Sequence, residues 1–386
     1  MTKVEIQPSS RSIGNAHAAY VHVPFCAHRC GYCDFTLISG RDDLIESYLA
    51  SLEIELATLA TPRAMQTLFL GGGTPSHLSL AQLERLFDLL ERWLPVTCET
   101  EFSLEANPLD LTTDKLRLFA DRGVNRISLG VQSFDDQILK LLERDHTGAQ
   151  AQEIIERTQS HIANLAVDLI FGVPGQSLAL WQQTLEMAIA AAPKHLSTYG
   201  LSIEKGTSFW TRREKGTLVP LTPELEREMY GYVMDRLPSA GFEQYEISNF
   251  AQPGYACRHN IGYWTALPFF GFGPGAAQYL DGCRELNHRS VTTWLRLVPS
   301  GKSPIHEREC LSAEDHAREL AVLNLRQIAG ISRTDFQKQA GFDIESLAGD
   351  AIKRFRNRGW LEETSTHIRL TREGRFVADT IVAEFL

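Results

Sequence analysis

The chain has 386 residues, 43% hydrophobic and 22% charged, with 38 basic against 48 acidic side chains and a formal net charge of −10. That length supports a large core in two or three domains, or one large α/β domain with an appendage. The composition excludes collagen-like and low-complexity classes and argues against a general nucleic-acid binder. Seven cysteines, three of them clustered, do not match the evenly paired framework of a small secreted domain, so a reducing, cytoplasmic setting is expected.

Residues 1–19 carry one lysine, one arginine and no apolar core, which predicts a flexible N-terminus that is neither a secretory signal nor a membrane span. From there, short apolar runs alternate with helical spacing. The runs at 20–25, 67–70, 101–104, 126–131, 165–171 and 196–203 are predicted as buried parallel strands. Residues 43–60 place Leu44, Tyr48, Leu52, Leu56 and Leu59 near one helix face, and 79–94 do the same with Leu83, Leu86, Leu90 and Trp93. Further helices are predicted over 113–122, 135–144, 148–160, 178–190 and 223–237. Such alternation means an α/β fold with right-handed crossovers, and periodicity alone leaves open whether the sheet is flat or curls towards a barrel.

In either architecture, chemistry gathers at the carboxyl ends of the strands. The first run is followed by Cys26, Cys30 and Cys33 within eight residues. Three soft ligands suit an iron–sulfur cluster, or zinc with His22 or His28 as a fourth ligand. An Fe4S4 cube would leave one iron without a protein thiolate. The second run is followed by Gly71-Gly72-Gly73-Thr74-Pro75, which admits close backbone approach but also fits a plain tight turn. Glu105 ends the third run, Gln132 ends the fourth with Arg144 beyond it, and Asp168 sits in the fifth. The carboxylates accept from ribose or ammonium groups, while Gln132 and Arg144 suit a carboxylate or purine edge.

Taken together, Tyr20-Val21-His22-Val23-Pro24-Phe25-Cys26 with its CxxxCxxC spacing, then GGGTP, EANP, SLGVQSF and DLIFGVPGQ, resemble the radical S-adenosylmethionine enzymes. Within them the motifs are similar to the oxygen-independent coproporphyrinogen dehydrogenase group. The resemblance implies an incomplete (β/α)6 barrel across 20–240 and a 4Fe-4S cluster on Cys26, Cys30 and Cys33. It also implies S-adenosylmethionine on the open iron, bordered by Tyr20, Tyr32, Gly72, Gly73, Thr74, Glu105, Gln132, Arg144 and Asp168. In that family the cofactors carry radical chemistry, and the protein supplies orientation and shielding.

Two features depart from the dehydrogenase pattern: Phe35 stands where that group has a fourth cysteine, and only nineteen residues precede Tyr20. Farther on, Cys257-Arg258-His259-Asn260-Ile261-Gly262-Tyr263-Trp264 resembles the HNxxYW signature of haem chaperones related to that group. Imidazole and thiolate both ligate haem iron, and aromatic rings cover porphyrin faces. His259 is the first haem-ligand candidate and Cys257 the second, with Tyr263 and Trp264 beside them. The plain alternative is a polar turn next to two packed aromatics. The glycine-aromatic segment Phe269 to Ala276 fits either a cover over a ligand or a structural turn.

Residues 241–309 are expected to connect the barrel to a mostly helical, winged-helix-like domain over 310–386. Its helices are predicted at 313–327, 333–339 and 346–356, with a strand-like turn at 368–371 and a last helix at 373–385. The resemblance makes this the HemN-type C-terminal domain. Lys353, Arg354, Arg356 and Arg358 are expected to form a solvated face, because acidic residues flank them. The function expected is that of a haem chaperone carrying haem as cargo to acceptor haem proteins such as respiratory enzymes. The alternative is an oxygen-independent coproporphyrinogen III dehydrogenase. Self-association as a homodimer and docking on a membrane surface, without a transmembrane segment, complete the expectations.

Overall fold

The computed structural model describes residues 16–386. Most of the expected N-terminal tail lies outside that range, and its last two residues, Ala18 and Ala19, already belong to the first strand. Six strands, β1 (Ala18–Val23), β2 (Thr67–Gly72), β3 (Glu101–Ala106), β4 (Arg126–Gln132), β5 (Leu165–Phe171) and β6 (His195–Gly200), pair in parallel in chain order. Between them run α1 (Ile45–Leu56), α2 (Leu80–Trp93), α3 (Thr113–Asp121), α4 (Asp136–Leu141), α5 (Gly148–Gln159) and α6 (Leu178–Ala190). Helix starts follow the capping chemistry. Ser79 with Gln82 and Thr147 with Gln150 form capping boxes on α2 and α5, satisfying backbone amides that have no partner in the first turn.

Strand residues alternate between two environments. Ile127, Leu129 and Val131 on β4 and Leu165, Val167 and Leu169 on β5 join one continuous core that also takes in residues of α1, α2, α3, α5 and α6. The intervening Arg126, Ser128, Gly130, Asp168 and Ile170 line a central cavity. This two-residue period separates the packing face from the chemical face of the strands. After β6 come α7 (Ser208–Glu214) and α8 (Pro223–Ser239), the latter begun by Thr222 and a proline at its first turn. The result is an incomplete barrel of six strand–helix units.

Residues 241–309, expected to connect the barrel to the C-terminal domain, carry strands that extend the barrel sheet. On one flank β7 (Glu243–Gln244) and β8 (Asn249–Ala251) follow β6 antiparallel. On the other, β9 (Phe269–Phe272) pairs in parallel with β1, and β10 (Ala277–Leu280), β11 (Cys283–Asn287) and β12 (Ile305–Cys310) continue outward, giving twelve strands. Most of these strands are short or polar on their exposed side, and so lack the apolar runs that reveal the buried strands. Between the two flanks lies α9 (Arg258–Trp264), and α10 (Val291–Leu297) links β11 to β12. Cys283 and Cys310 face each other across β11 and β12 and form a disulfide, a pairing that the expected reducing setting did not foresee.

The C-terminal region has its own core. Helices α11 (Ala313–Leu325), α12 (Arg333–Ala340) and α13 (Ile344–Asn357) pack with β13 (Ile331–Ser332), β14 (Leu361–Glu363) and β15 (His367–Leu370). The three strands form a small antiparallel sheet in the order β13-β15-β14, which is a winged-helix arrangement. The final predicted helix is broken into α14 (Arg372–Arg375), α15 (Ala378–Val382) and a last 3-10 turn. In the basic cluster, Arg354 pairs with Glu384, Arg356 with Glu363, and Arg358 lies over the Trp360 ring. No described helix is long and apolar enough to cross a membrane.

Candidate functional site

A cavity of about 480 Å3 occupies the barrel. Its mouth is the loop after β1, where Cys26, Cys30 and Cys33 all line the same space together with His28, Tyr32, Phe35 and Leu37. Arg29 shapes this loop by donating to the carbonyl oxygens of Cys33, Phe35 and Leu37 at 3.1, 3.2 and 2.8 Å. Phe209 on α7 holds it from outside, its amide donating to the Gly31 carbonyl at 2.8 Å. A Cβ at Gly31 would stand 2.6 Å from the Phe209 ring, so only glycine permits that approach.

Polar groups face the thiols. Thr74 Oγ1 donates to Cys26 Sγ at 3.1 Å, and Arg144 Nη1 lies 3.7 Å from Cys30 Sγ. Burial pushes the Cys30 and Cys33 thiols up; Arg144 opposes this at Cys30, as does a backbone hydrogen bond with Phe35 at Cys33. Among the described residues, no three His, Cys, Asp or Glu side chains converge on a single-ion site. Three thiols around one cavity suit a multi-iron cluster with an open iron, whereas His28, the fourth ligand a zinc knuckle would take, lines the same cavity with its Nε2 3.7 Å from Glu143.

The glycine turn after β2 packs directly against this loop. The Gly73 and Thr74 amides donate to the carbonyl oxygens of Val23 and Phe25 at 2.8 and 2.7 Å. Gly72 has φ +110°, and a Cβ there would stand 2.4 Å from the His22 ring. That ring is fixed in one tautomer: Nε2 donates to the Thr36 carbonyl at 2.6 Å, leaving Nδ1 to accept from the Tyr20 hydroxyl at 3.2 Å. Gly73 and Thr74 line the cavity, whereas Gly72 and Tyr20 stand one layer behind it, Tyr20 stacking on the cavity residue Phe69.

Glu105, Gln132, Arg144 and Asp168 all line the cavity. Glu105 accepts from the Gly72 amide at 3.0 Å, and burial raises its pKa to about 7. Gln132 sits just past a break in strand register, at φ +67°; such a bulge re-aims a side chain. Arg144 donates to Asn107 Oδ1 at 2.6 Å and to the Gly130 carbonyl at 2.9 Å. Asp168 accepts from Ser128 at 2.9 and 3.1 Å, and burial raises its pKa. Sequence reasoning missed Asn107, Arg126, Ser128, Ser197 and Tyr199 as cavity residues. Their two-residue spacing along the strands was the available signal.

The HNxxYW segment forms α9 at the amino-terminal end of the barrel. Asn260 lines the main cavity, while His259 and Tyr263 border a second recess of about 200 Å3 with Thr67 and Phe269. Glu101 receives the Arg258 and His259 amides at 2.9 and 3.0 Å, anchoring the helix start. His259 is 2% exposed, and both ring nitrogens are used, Nδ1 with Thr67 Oγ1 and Nε2 with the Tyr263 hydroxyl, each at 2.8 Å. Burial lowers its pKa to about 3, so the ring is neutral. Cys257 is buried with Sγ 3.6 Å from Glu101, and Trp264 turns towards α11, its carbonyl accepting from Asn324 at 2.9 Å. In this conformation neither haem-ligand candidate presents a free atom, and ligation by either requires these bonds to break.

A six-stranded incomplete barrel with three thiols at its mouth and a glycine turn against them defines a radical SAM protein. The Radical SAM superfamily pattern matches residues 20–188, and the HemN C-terminal domain pattern matches 311–377. The structure described as "Coproporphyrinogen III oxidase (HemN) from Escherichia coli is a Radical SAM enzyme" superposes with a TM-score of 0.86, at 21% identity, over 97% of this chain and 91% of that one, which establishes the shared fold. Proteins named Heme chaperone HemW from Bacillus subtilis (strain 168) and Lactococcus lactis subsp. lactis (strain IL1403) are each 35% identical. The matches cover 96% of this chain and 99% and 97% of theirs. A mitochondrial protein of Bos taurus, Radical S-adenosyl methionine domain-containing protein 1, is 32% identical over 98% of this chain and 89% of its own. The chain belongs to the HemW family of radical SAM proteins.

Proposed function

We propose that this protein is a cytoplasmic haem chaperone that holds a 4Fe-4S cluster with S-adenosylmethionine, binds haem and passes it to acceptor haem proteins. The observation that carries the reading is the near end-to-end similarity to proteins named Heme chaperone HemW. Phe35 adds to it: a ring 62% exposed at the cavity mouth replaces a thiol with an apolar face suited to a flat macrocycle.

Cys26, Cys30 and Cys33 hold the cluster, and Thr74 and Arg144 stabilise sulfur charge beside it. Arg144 and Gln132 would meet a carboxylate or purine edge of S-adenosylmethionine, and Asp168, held by Ser128, would accept from its ribose or ammonium group. When bound, cluster and cofactor supply one-electron chemistry. Tyr32 and the walls of the barrel exclude water from that end.

The test is anaerobic reconstitution followed by haem titration, read in the Soret band, and a separate coproporphyrinogen III assay. Haem binding with the cluster intact and no porphyrinogen turnover is expected. Efficient turnover favours the dehydrogenase instead. His259→Ala should alter the haem spectrum while leaving iron content unchanged, and an unaltered spectrum assigns the ligand elsewhere.

A further inference from the structure

Arg126 begins β4 and reaches the lower part of the cavity, where it lies with Ser128, Asp168, Ser197 and Asn260. It is only 2% exposed. Among the described residues, none forms a hydrogen bond or ion pair with its guanidinium, and its Nε is fully enclosed without a partner. Three carboxylates lie within its field, Glu101, Asp168 and Glu105. Each is bonded elsewhere: Glu101 to the amides of Arg258 and His259 at 2.9 and 3.0 Å, Asp168 to the Ser128 hydroxyl at 2.9 and 3.1 Å, and Glu105 to the Gly72 amide at 3.0 Å.

An arginine cannot escape burial by losing its proton, and a buried charge without a bonded partner costs several kcal/mol. Its planar fork matches a carboxylate through two parallel hydrogen bonds. A doubly charged phosphate fits less well, because Asp168 and Glu105 border the same space. The carboxylate of S-adenosylmethionine is not the partner either. Arg144 already stands 3.7 Å from Cys30 at the cluster end, which leaves the deeper guanidinium free for a second ligand.

We propose that Arg126 anchors the carboxylate of a ligand that enters the barrel beside S-adenosylmethionine, a role that rests on the radical SAM reading of this cavity. That carboxylate comes either from a propionate arm of haem or from a small free carboxylate.

The full-length, cluster-loaded protein is titrated with haem, with haem dimethyl ester and with sodium propionate, for wild type, Arg126→Gln and Arg126→Lys. If haem is the source, wild type prefers the acid over the ester by about ten-fold, Arg126→Gln abolishes the preference, and Arg126→Lys keeps part of it. If a free carboxylate is the source, propionate itself binds to wild type and not to Arg126→Gln, while acid and ester bind alike. The proposal is overturned if acid and ester bind equally and propionate does not bind to wild type, a comparison that needs no folded variant. Failure of the wild type to bind haem at all refutes the chaperone function instead, and failure to take up iron refutes the cofactor reading.

Discussion

Glu105 shows how the barrel alters a single group. Its carboxyl meets the Gly72 amide at 3.0 Å, yet burial outweighs that bond and lifts its pKa from the ordinary 4.5 to about 7. The folded chain therefore holds a proton that the unfolded chain releases between those values. The stability due to this group is fully present below about pH 4.5 and is lost as pH rises through about 7. Chemical denaturation across that window should show wild type losing up to ~3 kcal/mol relative to Glu105→Gln. Parallel curves for the two proteins would mean that folding leaves the Glu105 pKa unchanged. The residue itself was visible in the sequence at the end of an apolar run. Its partner was not, because the contact with Gly72 joins adjacent strands 33 positions apart.

At the scale of elements, α9 depends on one side chain from another strand. Glu101 on β3 receives two amides at the start of α9, in a site where charge-assisted bonds are strong. Glu101→Gln should lower stability by ~1–2 kcal/mol, read as a shift in denaturation midpoint, without loss of iron. The cysteines divide in the same way. Alanine at Cys26, Cys30 or Cys33 should abolish iron uptake. Serine at Cys283 and Cys310, which join β11 to β12 across 27 positions, should leave iron intact and cost the oxidised protein ~2–4 kcal/mol. Iron loss in the double serine variant would place those sulfurs in the cluster site.

Sequence patterns revealed these elements unevenly. The six parallel strands were legible because the face packed against the helices supplies an apolar residue at every second position, as in Ile127, Leu129 and Val131 or Leu165, Val167 and Leu169. The strands of residues 243–310 were not, since edge pairing is satisfied by polar segments such as β12, whose residues are mostly exposed. HNxxYW was recognisable as a motif, yet its spacing did not reveal that His259 is tied to Thr67 and Tyr263 within the barrel end.

Across the whole molecule, α9 lies between two bodies with separate cores. Asn260 reaches the main cavity, His259 and Tyr263 border the recess, and the Trp264 carbonyl and ring meet Asn324 and Arg326 at the C-terminal domain. Movement of that domain would therefore reach both the recess and the lower part of the main cavity through a single short helix. The most direct measurement is transfer. Cluster-reconstituted, haem-loaded protein is mixed anaerobically with an apo haem protein, and haem is followed spectroscopically. A haem chaperone passes its cargo to the acceptor faster than free haem binds nonspecifically, while coproporphyrinogen III remains unconverted. Retention of haem, or conversion of coproporphyrinogen III to protoporphyrinogen IX by the same preparation, would contradict that function.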